Sequence, residues 1–280
     1  MELYLILLVA GFISGILTIL FGFAGGFVVV PLVYSTIRMQ YPIHSTAYDL
    51  AFKSAVATSL LLMVINSGLA TYQQYKQRKI YKQYLFPIAY WIAAGAILGT
   101  LLALNISSHL LKWAFALYLC ITIFDCLLRQ FKQPHSNPQA VRLLTKTEQG
   151  LGGIFIGGIA SALGVGGSVM TVPLFRRCGL DMSSAVALAN PLSMPVAIAG
   201  CITLIIGQII QPQHLGTHFI GYFYYPALIA LIIGGFFGMK LAIQWTGKLS
   251  NQMHEQGYIL LLTEPYRVCR RLNILRDYSD

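Results

Sequence analysis

The chain has 280 residues, of which 56% are hydrophobic and 10% are charged, and its mean hydropathy is +0.68. Soluble proteins carry about 25% charged residues, so this composition excludes a water-soluble fold and indicates an integral membrane protein. The apolar runs have the length of membrane helices rather than of barrel strands. The net charge of +10 comes from basic residues between these runs, a pattern typical of membrane topology signals and not of nucleic-acid binding.

The first predicted element is an apolar run over residues 3–20, which a glycine motif interrupts and which resumes over residues 28–37. The motif contains Gly22, Ala24, Gly25 and Gly26, with Pro31 a few residues later. Glycine permits backbone angles that a helix forbids, and proline removes a hydrogen-bond donor. We therefore predict a broken helix, either as one bent span or as a re-entrant hairpin. The run lacks a basic n-region, so we interpret it as a first membrane segment and not as a signal peptide.

The second predicted helix, over about residues 54–72, carries neutral hydrogen-bonding side chains at membrane depth. These include Thr58, Ser59 and Asn66. Ser59 and Asn66 are seven residues apart and share a helix face. They suit either an oxyanion site or hydrogen bonds between helices worth about 0.6 kcal/mol each, and the sequence leaves both interpretations open.

The third and fourth predicted helices, over about 85–104 and 109–128, complete a first half. Gly95 and Gly99 form a G-x-x-x-G face, which indicates close helix packing. The polar and basic stretch that follows is too broken to span a membrane. We therefore divide the chain into a first transmembrane repeat 1–128, a cytoplasmic linker 129–147, a second transmembrane repeat 148–271 and a polar tail 272–280.

The second half begins with a copy of the glycine motif at a constant offset of 142 positions. Gly164, Gly166, Gly167 and Ser168 stand in it, and Pro173 corresponds to Pro31. Two broken apolar helices at matching places in two halves are typical of a transporter binding site.

The remaining segments follow the plan of the first half. We predict a helix over 184–210, interrupted beside Asn190 and at Pro195, a span over 219–243 and a weak last helix over 251–263. The predicted fold class is all-α: a polytopic helical membrane protein with two homologous repeats of about four helical segments each. The first helix of each repeat is broken by glycine and proline.

Two topologies remain open. If each motif lies on a simple crossing, the chain has eight spans; if each is a re-entrant hairpin, each half crosses three times and the halves are inverted. Both place 12 Lys and Arg inside and 7 outside, so the positive-inside rule does not separate them. The stretch 208–218 lacks Lys and Arg and favours the inverted arrangement, in which it lies outside.

The glycine motifs supply the main functional hypothesis. N-termini of half-helices carry partial positive charge and free N–H donors, which attract anions. The alternative is tight helix packing with a proline kink. The predicted substrate-binding residues are Gly22, Ala24, Gly25, Gly26, Thr58, Ser59, Asn66, Gly164, Gly166, Gly167, Ser168 and Asn190, and the predicted helix-breaking residues are Pro31, Pro173 and Pro195.

No catalytic arrangement, cofactor or metal site is predicted. The six histidines lack ligand spacing, and no Ser-His-Asp set or carboxylate pair lies at membrane depth. The five scattered cysteines indicate neither a disulfide framework nor a zinc site. A cation or metal permease is disfavoured because no His, Cys, Asp or Glu cluster lies at midplane depth.

Taken in order, these motifs resemble the sulfite exporter TauE/SafE family of bacterial membrane permeases. The similarity rests on Gly22–Leu32, Ala55–Ser59, Gly164–Leu174, Met194–Gly200 and Gly221–Leu228, and it extends over roughly residues 11–262. It implies a two-repeat helical permease in the bacterial cytoplasmic membrane. It also implies small sulfur-containing anions as substrates: sulfite, thiosulfate, sulfoacetate and other organosulfonates.

Three features depart from the family pattern. Ala24 replaces a usual Gly, Leu188 replaces a common Thr, and the last helix is more polar than expected. The alternative function is a non-transporting membrane scaffold or accessory subunit whose glycines only pack helices. The expected partners are the anion and the lipid bilayer, with no nucleic acid, and the chain is expected to be a monomer or homodimer.

Overall fold

The computed structural model describes residues 2–22, 26–77, 82–131 and 142–245. Its helices are α1 (Glu2–Phe21), α2 (Gly26–Gln40), α3 (Thr46–Asp49), α4 (Ala51–Lys76), α5 (Lys82–Asn105), α6 (Ser108–Phe131), α7 (Gly153–Leu163), α8 (Ser168–Arg177), α9 (Met182–Ile210) and α10 (Tyr225–Ile243). A π-helical turn, Glu148–Gly152, precedes α7, and a small antiparallel hairpin, β1 (Phe219–Ile220) and β2 (Phe223–Tyr224), precedes α10. The predicted last helix, over 251–263, lies outside the described residues.

Five of these helices, α1, α4, α5, α9 and α10, are long and apolar enough to cross a membrane. The chain is therefore an all-α, multi-pass membrane protein, as its composition predicts. Homology between two repeats, and the domain boundaries drawn from it, stay predictions.

Helices α1 and α2 form a hairpin that begins and ends on one face of the molecule. Tyr224 lies beside Tyr4, near the start of α1, and its hydroxyl donates to Oε1 of Gln40, the last residue of α2. Leu17 to Phe21, the last turn of α1, are buried in the protein rather than exposed at the opposite face. The first broken segment is therefore re-entrant.

Helices α7 and α8 form a second hairpin, which enters from the opposite face. The N–H of Arg142 donates to the carbonyl of Cys178, just after α8, at 3.0 Å. The Arg142 guanidinium also pairs with Glu148, just before α7, at 2.8 Å. The hydroxyl of Tyr84, near the start of α5, donates to the Arg142 carbonyl at 3.3 Å. This face is therefore at the end of the molecule where α4 leads into α5.

These contacts decide between the two topologies that charge counting leaves open, because both hairpins return to the face from which they start. The basic residues at the Arg142 face in the described ranges are Lys76, Lys82, Arg129, Arg142, Lys146, Arg176, Arg177 and Lys240, against Arg38, Lys53 and Lys112 at the Tyr224 face. Eight against three is the excess that the positive-inside rule predicts for the cytoplasmic side, so the placement of the Arg142 face in the cytoplasm stays a prediction. The two hairpins agree with the inverted arrangement, and the orientation with the N-terminus outside stays a prediction.

Close glycine contacts connect helices from different halves of the chain. A Cβ added at Gly238 of α10 would lie 2.0 Å from the Phe12 carbonyl oxygen of α1. One added at Gly99 of α5 would lie 2.0 Å from the Gly158 carbonyl oxygen of α7. The glycines at these interfaces are Gly11, Gly15, Gly234 and Gly238 for α1 with α10, and Gly95, Gly99, Gly153 and Gly157 for α7 with α5. The close packing predicted for Gly95 and Gly99 is confirmed.

Candidate functional site

Both predicted helix breaks occur at the glycines. Helix α1 ends at Phe21, and Gly22 follows with φ +74°; α7 ends at Leu163, and Gly164 caps it with φ +67°. Gly166 also has positive φ, +77°. Residues with a Cβ rarely adopt these angles, so glycine is what allows the chain to leave each helix here.

The tips of the two hairpins touch each other inside the molecule. A Cβ added at Gly26, the first residue of α2, would lie 2.1 Å from the Gly164 carbonyl oxygen and 2.6 Å from the Val165 Cα. Helix α8 has ten residues, about 15 Å, which is half of a hydrocarbon core of about 30 Å. The second tip therefore lies inside the molecule, about one α8 length from the Arg142 face.

Each tip rests on a helix of the other half of the chain. A Cβ at Gly22 would meet Val186 of α9 at 3.4 Å, and one at Gly164 would meet Val56 of α4 at 3.1 Å. The site is therefore a contact between two re-entrant tips, enclosed by α4 and α9.

Two predicted polar residues cap the carbonyl ends of the broken helices. The Ser59 hydroxyl donates to the Gly164 carbonyl at 2.8 Å, and the Asn190 side-chain amide donates to the Thr18 carbonyl at 3.0 Å. Both side chains are buried. The Thr18 carbonyl also accepts from the Gly22 N–H at 3.1 Å, so Asn190 adds a second donor there. Ser59 supplies a side-chain donor for the Gly164 carbonyl just after α7, where carbonyls lack intrahelical partners.

The N-terminal ends of α2 and α8 lack such side-chain caps in the sequence. Glycine precedes both, Gly25 before Gly26 and Gly167 before Ser168, where soluble helices prefer Ser, Thr, Asn or Asp. Ser168 is fully buried, and its hydroxyl has no hydrogen-bond partner among the described residues. Within the same ranges, Asn190 Oδ1 is also buried without a partner. Two buried polar side-chain atoms, Ser168 Oγ at the second tip and Asn190 Oδ1 of α9, therefore have no partner among the described residues.

Two of the predicted residues, Thr58 and Asn66, have contacts away from the tips. Thr58 donates to the Ser54 carbonyl at 2.7 Å and accepts from the Tyr224 N–H at 3.0 Å, so it holds the β1–β2 hairpin. Asn66 is buried, and neither atom of its amide has a partner in the described part of the chain. It faces α10, where a Cβ at Gly235 would lie 3.3 Å from Oδ1. The structure therefore does not bring Thr58 and Asn66 into contact with the tips.

The remaining predicted residues divide in the same way. Gly22, Gly26, Gly164, Gly166, Gly167 and Ser168 form the two tips, whereas Ala24 and Gly25 lie outside the described residues.

The prediction that prolines break the helices is wrong. Pro31 lies inside α2, Pro173 inside α8 and Pro195 inside α9, which also runs without interruption past Asn190. Proline removes one N–H from a helix but still fits helical φ, and neighbouring groups in a membrane protein can bond the freed carbonyl. In the described residues, the breaks follow Gly22 and Gly164, and the prolines lie inside helices.

Sequence reasoning missed the contact of Tyr224 with Gln40 and Thr58. Tyr224 is fully buried although it lies in a hairpin between helices. The aromatic run Tyr222–Tyr225 is visible in the sequence, but such runs also occur at membrane interfaces, so it does not indicate burial.

Comparison with known proteins agrees with this architecture. A family model described as sulfite exporter TauE/SafE matches residues 7–263. A probable membrane transporter protein of Haemophilus influenzae is 26% identical over 261 residues, covering 92% of this chain and 94% of the relative. A probable membrane transporter protein of Methanocaldococcus jannaschii is 26% identical over 246 residues, covering 88% and 87%. No solved structure matches the chain. The described part of the chain has two hairpins whose tips meet inside the molecule and five helices long and apolar enough to cross a membrane. The chain belongs to the sulfite exporter TauE/SafE family and is a multi-pass membrane transporter.

Proposed function

We propose that the protein is a secondary transporter for a small sulfur-containing anion: sulfite, thiosulfate, sulfoacetate or another organosulfonate. It would act in the bacterial cytoplasmic membrane, with the anion bound near the midplane where the N-termini of α2 and α8 meet. The family to which the chain belongs supports the substrate class.

The observation that carries the binding mode is a difference between the two kinds of helix end at the tips. The carbonyl ends are capped by Ser59 and Asn190, whereas glycine precedes both N-termini and the Ser168 hydroxyl is buried without a described partner. Uncapped helix N-termini favour negative charge and donate N–H groups to oxyanions. The arrangement therefore suits an anion better than a cation.

The packing of the helices supports a division of the molecule into two moving bodies. Each body contains helices of one half of the sequence together with one helix of the other half. Helices α1 and α4 of the first half pack with α10, and α2 packs on α4; α7 and α9 of the second half pack with α5, and α8 packs on α9. The two bodies meet chiefly along α4 and α9, beside the tips. We propose that alternating access comes from rocking of these bodies, rather than of the two sequence halves.

Reconstituted protein tests the proposal. Liposomes with purified protein would be compared with protein-free liposomes for uptake of labelled sulfite, thiosulfate, sulfoacetate and chloride, with and without a pH gradient. We expect saturable uptake of at least one sulfur anion in preference to chloride. Absence of uptake for all of them, by protein that unfolds cooperatively, would favour the membrane scaffold instead.

A matched pair of variants tests the place of binding. Ser168→Ala removes the unpartnered hydroxyl, and we expect apparent affinity to fall roughly tenfold or more, the range for a hydrogen bond to a charged group. Thr203→Val removes a hydroxyl that bonds its own helix, at the Ala199 carbonyl, and should leave uptake unchanged. Equal affinity in both variants would contradict binding at the second tip.

A further inference from the structure

A buried amide packed among α1, α4 and α10 has no hydrogen-bond partner. Asn66 of α4 is 1% exposed, and neither Oδ1 nor Nδ2 has a partner in the described part of the chain. Because a buried donor or acceptor without a partner is costly, an amide with both atoms unpaired indicates a bound ligand or water.

Two oxygen atoms converge on the space beside Gly235 of α10. A Cβ added there would lie 3.3 Å from Asn66 Oδ1 and 3.6 Å from the carbonyl oxygen of Gly11 in α1, with Asn66 Nδ2 further away at 3.7 Å. The Gly11 carbonyl keeps a second lone pair beside its helical hydrogen bond. Two acceptors that face one space repel each other unless a cation or a hydrogen-bond donor lies between them.

Ser14 adds a third oxygen on the same turn of α1 as Gly11. It is fully buried, and its Oγ has no partner among the residues that the structure describes. Helix α1 packs on α4 as well as on α10, so Ser14 and Asn66 belong to neighbouring helices of one packed group.

The second half of the sequence has apolar side chains at the corresponding positions. The run Ala-Val-Ala of α4 recurs in α9 at an offset of 130 positions, which relates Asn66 to Val196, and the offset of 142 relates Ser14 to Ile156. A Cβ added at Gly167 would meet Ile156 Cγ2 at 3.3 Å and Val196 Cγ2 at 3.7 Å, so these two side chains lie at one place. We therefore expect Ser14 and Asn66 to share one site, which is polar in the first half and apolar in the second.

The groups around this site are neutral. Residues 5–22, 54–71 and 226–239 contain no Lys, Arg, His, Asp or Glu. Proteins bind Ca²⁺ and Mg²⁺ with the help of carboxylates, so neutral oxygens suit a monovalent cation better. In secondary transporters, backbone carbonyls of broken helices coordinate sodium, and α1 is a helix that breaks at Gly22.

The spanning helices offer little for coupling to protons. In α1, α4, α5, α9 and α10, the only Asp, Glu or His is Glu2, the first residue of α1. Proton relays in transporters use chains of such residues. A coupling cation held by neutral oxygens therefore fits these five helices better than a proton.

We propose that Ser14 and Asn66, together with the Gly11 carbonyl, hold a sodium ion that moves with the anion. This deepens the proposed function by naming its coupling ion. The coupling rests on that function, whereas the binding of sodium does not.

Thermal unfolding in detergent tests the sodium site without transport. Wild-type protein would be unfolded in sodium, potassium and choline chloride at equal concentrations. We expect sodium to raise the unfolding temperature by about 2–5 °C for each tenfold excess over its Kd, and the other two salts to leave it unchanged. Equal unfolding temperatures in the three salts would overturn the site.

Three variants separate a sodium ligand from a structural residue. Asn66→Leu and Ser14→Ala remove the unpartnered atoms, so both should lose the sodium response yet be at least as stable as the wild type in choline chloride. Ser67→Ala is the matched control, because the Ser67 hydroxyl bonds its own helix at the Met63 carbonyl, at 2.6 Å, and it should keep the response. Lower stability of Asn66→Leu and Ser14→Ala in every salt, with the sodium response retained, would overturn the site.

Uptake of sulfite, thiosulfate and sulfoacetate by proteoliposomes tests the coupling. With one sodium per anion and no membrane potential, a tenfold inward sodium gradient should concentrate the anion up to about tenfold, and Ser14→Ala should abolish this accumulation. Uptake that does not respond to sodium would overturn the coupling while the transport proposal stands. Absence of uptake for every sulfur anion, with sodium stabilisation intact, would overturn the transport proposal and the coupling and leave the sodium site.

Discussion

The contact between the two tips gives a sharp prediction for Gly26→Ala. The added Cβ would lie 2.1 Å from the Gly164 carbonyl oxygen, whereas real Cβ atoms essentially never approach closer than 3.0 Å. The tips must therefore separate by about 1 Å, and both atoms that limit the movement belong to backbone. Overpacking of this kind costs about 1–3 kcal/mol, so we expect lower thermal stability together with loss of most uptake.

Gly68→Ala in α4 is the matched control. A Cβ there meets no atom within 4 Å, so the change should leave uptake unaltered and raise stability by about 0.5–1 kcal/mol through helix propensity. Thermal unfolding in detergent and uptake by proteoliposomes would be measured on the same preparations. Wild-type stability and uptake in Gly26→Ala would refute the contact between the tips.

Further predictions concern the cap on α7 and the ion pair between Arg142 and Glu148. Ser59→Ala leaves the buried Gly164 carbonyl without its side-chain donor and should lower the free energy of unfolding by about 1–3 kcal/mol, measured against Thr203→Val. At the Arg142 face, the hydrogen bond from Arg142 holds the pKa of Glu148 at about 2, below its ordinary 4.5. A lowered pKa stabilises the fold above about 4.5, and this stabilisation is lost as pH falls from 4.5 toward 2. Unfolding temperatures across this range should therefore fall more in the wild type than in Glu148→Gln, and parallel curves would contradict the ion pair.

The sequence predicts the helix breaks because their cause is local. Gly22 and Gly164 allow positive φ, and this needs no knowledge of the rest of the fold. The prolines mislead for the opposite reason. The cost of an internal proline depends on which neighbours bond the freed carbonyl, and this is a tertiary property of α2, α8 and α9.

The roles of the polar residues also depend on tertiary structure. The sequence places Thr58 and Ser59 next to each other on one helix, yet Thr58 bonds the Tyr224 N–H and Ser59 bonds the Gly164 carbonyl. Which partner each hydroxyl finds is set by helices more than 100 positions away. Sequence reasoning could therefore list neutral hydrogen-bonding groups, but it could not separate ligand contacts from caps.

Sequence reasoning also could not predict the exchange of α5 and α10, in which each packs with helices of the opposite half of the sequence. Gly11 and Gly15 in α1 have counterparts 142 positions later, Gly153 and Gly157 in α7, so the glycine stripes are visible in the sequence. A stripe of small residues shows that a helix approaches another closely, but it does not identify the partner. The structure pairs α1 of the first half with α10 of the second half, and α7 of the second half with α5 of the first half.

This exchange determines which crosslinks should stop transport. A Cβ at Gly200 of α9 would lie 3.0 Å from Leu60 of α4, which belongs to the other proposed body. A Cβ at Gly207, also in α9, would lie 2.6 Å from Leu104 of α5, within the same body. In a chain whose native cysteines are replaced, a short thiol crosslinker between Leu60→Cys and Gly200→Cys should block uptake, and reductive cleavage should restore it. The same crosslinker between Leu104→Cys and Gly207→Cys should leave uptake largely intact, although α5 and α9 come from different halves of the sequence. If the α5–α9 crosslink blocks uptake and the α4–α9 crosslink does not, the moving bodies follow the sequence halves and the exchange is only a packing feature.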